Sequence, residues 1–126
     1  MALVNTKGEE IADAGVAGLR LLPDAKLEDI AAQLPELALI EIEFPKFRDG
    51  RGFTLARALR ERYGYKGDLR AVGHFLPDQF GAMVACGFTS FVTPPEHAPA
   101  QYAAALLAHR QPGQLLRRSL SRAREG

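Results

Sequence analysis

The side chains best equipped for chemistry crowd into one stretch, Glu41-Ile42-Glu43-Phe44-Pro45-Lys46-Phe47-Arg48-Asp49-Gly50-Arg51-Gly52. It reads as the end of a strand running into a charged loop that opens a helix. Strand alternation puts Ile40, Ile42 and Phe44 on one face and Glu41 and Glu43 on the other. Two carboxylates on one strand face need partners, because an unpaired buried charge is costly. That face is therefore either solvent or the polar interior of a site. Lys46, Arg48 and Arg51, with Gly50 and Gly52 just ahead of a helix N-terminus, would suit a small anion such as a phosphate, carboxylate or sulfur oxyanion. The same residues also read as an Asp49-Gly50 turn and helix cap with Arg51 solvated.

The elements that must position these groups follow from periodicity and punctuation. Leu19 to Leu22 is a short strand ended by Pro23. Asp24 caps a helix to about Gln33, stopped by Pro35. Leu37 to Phe44 is a strand, and Phe53 to Tyr63 a helix ended by Gly64, with Arg57, Arg60 and Glu61 toward its polar side. Leu69 to His74 is a strand, with Arg70, Val72 and His74 on one face. Pro77-Asp78 opens a helix through Cys86, Phe88 to Val92 is a strand, and an alanine-rich helix runs from about Ala98 to His109. Helices alternating with short apolar strands imply parallel pairing and right-handed crossovers. The expected fold is α/β: a single four-unit (βα)4 domain with a short parallel sheet, half-barrel-like or a small open α/β sandwich. Residues 1–18 read as an N-terminal arm or edge strand, 19–110 as the domain, and 111–126 as a basic tail.

In such a fold the C-terminal strand ends and the loops after them share one edge. That edge should gather Glu43, Lys46, Arg48, Asp49, Gly50 and Arg51 with His74, Asp78 and Thr93, with Arg70 one step deeper on the face of His74. Glu41 and Glu43 could meet Arg70 and His74 across the neighbouring strand. Two readings stand for that cluster: an acid/base site with a histidine tuned by a carboxylate, or an ion-pair network that fixes register. No cofactor is implied. The glycine pattern lacks the Gly-Lys-Ser/Thr of a nucleotide loop and the third glycine of a dinucleotide fingerprint. His74, His97 and His109 lack metal-ligand spacing, and no serine sits in a nucleophile frame. Catalytic residues stay unassigned.

Bulk properties exclude several classes. A hydrophobic fraction of 47%, a charged fraction of 25% and a net charge of +1 describe an ordinary globular chain and argue against nucleic acid. The one cysteine, Cys86, forms no intrachain disulfide and reads as a small buried hydrophobe. With no membrane-length apolar run and no secretory signal, the cytoplasm is the expected compartment and no membrane partner is expected. Charge is unevenly spread: Glu9, Glu10, Asp13, Asp24, Glu28, Asp29 and Glu36 dominate the N-terminal third, and Arg110, Arg117, Arg118, Arg122 and Arg124 the C-terminus. A four-strand sheet with apolar edges predicts a homodimer.

The segments Glu43-Phe44-Pro45-Lys46-Phe47-Arg48-Asp49-Gly50-Arg51-Gly52-Phe53-Thr54-Leu55-Ala56-Arg57, Tyr63-Gly64-Tyr65-Lys66-Gly67-Asp68-Leu69-Arg70-Ala71-Val72-Gly73, Asp78-Gln79 and Cys86-Gly87-Phe88 resemble the bacterial domain of unknown function 934 family over about residues 19 to 108. Members are often named as oxidoreductases involved in sulfite reduction, from gene neighbourhood with sulfite or nitrite reductase. The resemblance implies an accessory or assembly factor of assimilatory sulfite reduction, with a sulfite or nitrite reductase subunit as partner. The residues themselves leave open a small enzyme or binding protein for an anion. A flavin- or nicotinamide-dependent oxidoreductase rests on the family naming alone. No catalytic residues carry over. Where many relatives have Asp-Val after the Val-Gly pair, this chain has His74-Phe75, which counts against an indispensable catalytic role for His74.

Overall fold

The computed structural model describes residues 2–13, 15–16, 18–46 and 50–110. Five strands, β1 (Leu3–Val4), β2 (Leu19–Leu21), β3 (Leu39–Phe44), β4 (Asp68–Gly73) and β5 (Ser90–Val92), form one sheet in the spatial order β1-β5-β4-β3-β2. β2 through β5 are parallel and lie in sequence order, while β1 joins β5 antiparallel. The helices are α1 (Arg51–Glu61), α2 (Phe80–Cys86) and α3 (Pro99–Arg110).

Register aligns the apolar residues of all five strands on one face. Leu19 lies beside Ile40 and Ile40 beside Leu69; Leu21 lies beside Ile42, Ile42 beside Ala71, Ala71 beside Phe91 and Phe91 beside Val4. These residues pack with Leu55, Ala56 and Leu59 of α1, Phe80 and Met83 of α2, and Tyr102 of α3 in one core. Every helix among the described residues thus covers the same face. A doubly wound sheet would instead carry helices on both sides.

An aromatic cluster fastens the C-terminal end of this core. Phe44 contacts Phe53, Phe75 and Phe88 at centroid separations of 5.6, 6.2 and 5.7 Å. Phe80 meets Phe91 edge-on at 4.6 Å, and Tyr102 stands edge-on to Phe75 and Phe80. Cys86 is buried, and Arg57 Nη2 donates to its Sγ at 3.5 Å. At the opposite end Arg60 acts as a clamp. Its guanidinium donates to the carbonyls of Gly87, Tyr65 and Gly67 at 2.8–3.0 Å, and the Tyr65 hydroxyl donates to Leu37 O at 2.8 Å. Arg60 is therefore not a polar-side residue of its helix. It ties α1 to the turn before β4 and to the end of α2, and burial lowers its pKa from the usual arginine value.

The structure departs from the sequence expectation in two elements. The helix expected from Asp24 to Gln33 is a pair of 3-10 helices, Leu27–Asp29 and Ala31–Glu36, with Pro35 inside the second and no side-chain cap on either. Pro35 has no N–H to donate and its ring would crowd the carbonyl four residues back, at Ala31, so no α-helix continues through it, and the segment is held by short i→i+3 turns such as Gln33 N to Ile30 O and Leu37 N to Leu34 O. The sheet also has five strands where four were expected, the fifth being the edge strand that residues 1–18 offered as one of two readings. β1 pairs with β5, and the chain then doubles back, with Ile11 N donating to Leu3 O at 2.8 Å and Asn5 N to Glu9 O at 2.9 Å. The edge of β5 that a four-strand sheet would leave open is covered by the chain's own N-terminus. The basic tail, 111–126, lies outside the described residues.

Two outcomes test this packing. Gly73 ends β4 at φ 102°, and a Cβ there would lie 2.5 Å from the Phe44 carbonyl oxygen; Gly64, at φ 64°, has open space around it. Gly64→Ala should cost about 1–2 kcal/mol, the left-handed backbone penalty. Gly73→Ala should add roughly 1–3 kcal/mol for the overlap. Equal losses in urea denaturation would show that the Phe44 carbonyl is not the obstacle. The second outcome concerns pH. Burial, with a smaller contribution from Glu96, pushes the Tyr102 phenol up to about 12, and burial also raises Tyr65. An unfolded tyrosine ionises near pH ~10. Stability is therefore unaffected by Tyr102 below that pH and falls above it, where the unfolded chain releases a proton the native chain still holds. Tyr102→Phe should flatten this alkaline fall, read as urea midpoint against pH; an unchanged slope would mean that the phenol is hydrated.

Candidate functional site

The face of the sheet without helices carries the other half of each strand's alternation. Register aligns Arg20, Glu41, Arg70 and Ser90 in one row across β2, β3, β4 and β5. Arg20 Nη2 lies 3.1 Å from Glu41 Oε1, with Nε donating to the same oxygen at 3.1 Å. Arg70 Nη1 is 3.9 Å from Glu41 Oε2, and Arg70 Nε donates to Ser90 Oγ at 3.1 Å. Ser90 Oγ in turn donates to Asp68 Oδ1 at 2.9 Å, and Asp68 Oδ2 lies 3.5 Å from Arg70 Nη2. Arg70 is 8% exposed, deep enough to need this set of partners.

The N-terminal arm reaches over the lower half of the same face. Asp13 Oδ1 stands 3.6 Å from Arg70 Nη1. Gly18 lies so close to Leu39 that a side chain would meet its carbonyl oxygen, and Leu39 is buried although it shares the face of Glu41. Toward the C-terminal strand ends the face opens into a pocket of about 390 Å³ lined by Arg20, Glu41, Glu43, Phe44, Val72, Gly73, His74, Val92 and Pro95. Glu43, whose register neighbour is Val72, has its carboxylate 3.8 Å from Arg20 Nη1. The His74 backbone N donates to Phe44 O at 2.6 Å, which holds the ends of β3 and β4 together beneath the pocket. A second pocket of about 210 Å³ places His74 with Phe75, Leu76, Pro94, Glu96 and His97.

Of the residues the sequence singled out, Glu43 and His74 meet in the larger pocket, and Arg70 lies in the ion-pair row below it. Lys46, Gly50, Arg51 and Asp78 are exposed and line neither pocket. Arg48 and Asp49 lie outside the described residues. The loop glycines serve packing and helix initiation. Gly50 has ordinary helical dihedrals, φ −85° and ψ 0°, and the missing side chain of Gly52 makes room for the Phe44 ring, which a Cβ would meet at 2.6 Å. Thr93, expected at this edge, is buried and binds Ala2 through its backbone N–H and hydroxyl. Arg20, Val72, Val92 and Pro95 were not anticipated as a group. The signal for Arg20 was the apolar-polar-apolar pattern Leu19-Arg20-Leu21, which puts it on the face of Glu41 once the strands are parallel. Among the described residues no group of three histidine, cysteine or carboxylate side chains could hold a metal ion, and no helix is long and apolar enough to cross a membrane.

The model of a family described as bacterial protein of unknown function (DUF934) matches residues 18–115. No curated protein and no solved structure matches the chain.

Removing Arg70 should leave Asp68 and Glu41 without their shared cation. Their side chains are 34% and 23% exposed, so Arg70→Met should cost about 2 kcal/mol, below the full value for a buried pair. Arg20 is 55% exposed, and Arg20→Ala should cost under about 1 kcal/mol. Equal losses in urea denaturation would mean that the Arg70 ion pairs are solvated.

Proposed function

We propose that this chain, which belongs to the DUF934 family, is an accessory or assembly protein of assimilatory sulfite reduction that binds a reductase subunit through the helix-free face of its sheet. One observation carries the reading. Parallel sheets are ordinarily covered on both faces, yet among the described residues all helices pack on one. The arm covers only the lower half of the other, and the upper half is an open pocket with Val72, Val92 and Pro95 in its lining. A surface of that kind suits a protein partner. The link to sulfite reduction comes from the family resemblance and from nothing in the geometry. Anion binding at the Lys46–Arg51 loop has less support, because the loop glycines serve helix entry and packing against Phe44.

The test is capture of an affinity-tagged full chain from its bacterial host grown on sulfate, with bound proteins identified by mass spectrometry. A sulfite or nitrite reductase subunit should be enriched with the native chain and lost with a Val92→Glu, Pro95→Glu variant of unchanged circular dichroism. Absence of any reductase subunit with the native chain would overturn the reading; equal capture by the variant would remove this face from it.

A further inference from the structure

We infer that the pocket at the C-terminal end of the helix-free face receives a basic side chain, lysine or arginine, from the protein that docks there; this rests on the accessory-protein reading. The argument begins with Glu43. Its side chain is 32% exposed, and its only ionic neighbour among the described residues is Arg20, at 3.8 Å, beyond hydrogen-bond reach. Arg20 spends its closer contacts, both 3.1 Å, on Glu41. The Glu43 carboxylate thus faces a pocket with acceptor capacity that no described donor takes up.

Charge and shape then select the occupant. Two carboxylates, Glu41 and Glu43, stand against one guanidinium in the lining. Arg70, beneath the pocket, is shared among Glu41, Asp68 and Asp13, so the carboxylates of this face outnumber its guanidiniums, and a cation fits where an anion would meet two carboxylates. Val92 and Pro95 offer apolar surface beside the carboxylate, over the buried Val72. Apolar lining next to an acceptor matches a side chain that buries a methylene stem and pairs its charged end. A bare metal ion fits poorly, since no third ligand joins the carboxylates among the described residues. The pocket opens on the same face that the partner would cover, so the basic group arrives as part of that partner.

The test uses the full chain, labelled with nitrogen-15, titrated at constant ionic strength with acetylated and amidated Gly-Arg-Gly, Gly-Lys-Gly and Gly-Glu-Gly, and with sodium sulfate. The basic peptides should give saturable shifts at the amides of Glu43, Val72, Gly73, His74 and Val92. Glu43→Gln should weaken that binding several-fold without changing spectral dispersion. Arg20→Ala, which removes the competing cation, should strengthen it, a gain that loss of structure does not mimic. No saturable shift, the same shifts with Gly-Glu-Gly or sulfate, or equal binding by Glu43→Gln would each overturn the inference. If the peptides fail while the native chain still captures a reductase, the pocket inference falls and the accessory reading stands. Peptide binding without reductase capture overturns the reading and keeps the preference of the pocket for a basic group.

Discussion

The structure depends on the charged row that crosses the helix-free face. Arg20, Glu41, Arg70 and Ser90 lie side by side on four parallel strands, and Asp68 and Asp13 close the set around Arg70. Because side chains alternate along a strand, a slip of one residue would turn this row into the core and the apolar residues out to solvent. The short edge strand β2, three residues long, gains most from this. It has little backbone to fix its register, and Arg20 supplies contacts to both Glu41 and Glu43.

Phe44 joins this row to the pocket above it. Its ring is buried on the helical side, where the space left by Gly52 lets α1 approach and where Phe53, Phe75 and Phe88 surround it. Its carbonyl accepts the His74 N–H. One residue therefore fixes the height of α1 over the sheet and the join between β3 and β4. Glu43 and His74 are its near neighbours in this arrangement, so their positions follow from core packing more than from contacts of their own. That is how a site can have well-placed groups with few hydrogen bonds.

The fold class was legible because β3 and β4 alternate cleanly and because Gly64, Gly87 and the prolines punctuate the helices. Glu41 facing Arg70 was legible for the same reason, since parallel pairing of two alternating strands leaves few registers. Three features were not. β1 has two residues, too few for any period, and its pairing with β5 is a tertiary contact. The segment before β3 has helical spacing, but spacing alone does not separate α from 3-10 winding. Arg60 looked like one more charged residue on an amphipathic helix. Its role comes from the carbonyls of Tyr65 and Gly67 in the turn after its own helix and of Gly87 at the end of α2, and the last of these no local pattern encodes. Gly52 leaves two readings open in the same way, because a glycine at a helix start looks alike whether a ligand or a phenylalanine ring occupies the space.

An open face on a parallel sheet exposes side chains that the fold elsewhere keeps between layers. Here most of that exposure is neutralised internally. Arg20 and Arg70 stand among Glu41, Asp68 and Asp13, two cations to three carboxylates, and the arm shields Leu39. The residual charge of the face is negative, which gives no attraction for nucleic acid or for small anions. What remains is local: a carboxylate at Glu43 beyond hydrogen-bond reach of its cation, with Val92 and Pro95 beside it. A partner gains little by meeting the row, whose charges already have partners, and more by meeting the pocket, where an acceptor and apolar surface are both unspent. Specificity on this face therefore falls to the few residues above the row, while the row itself keeps the strands in register whether or not anything is bound.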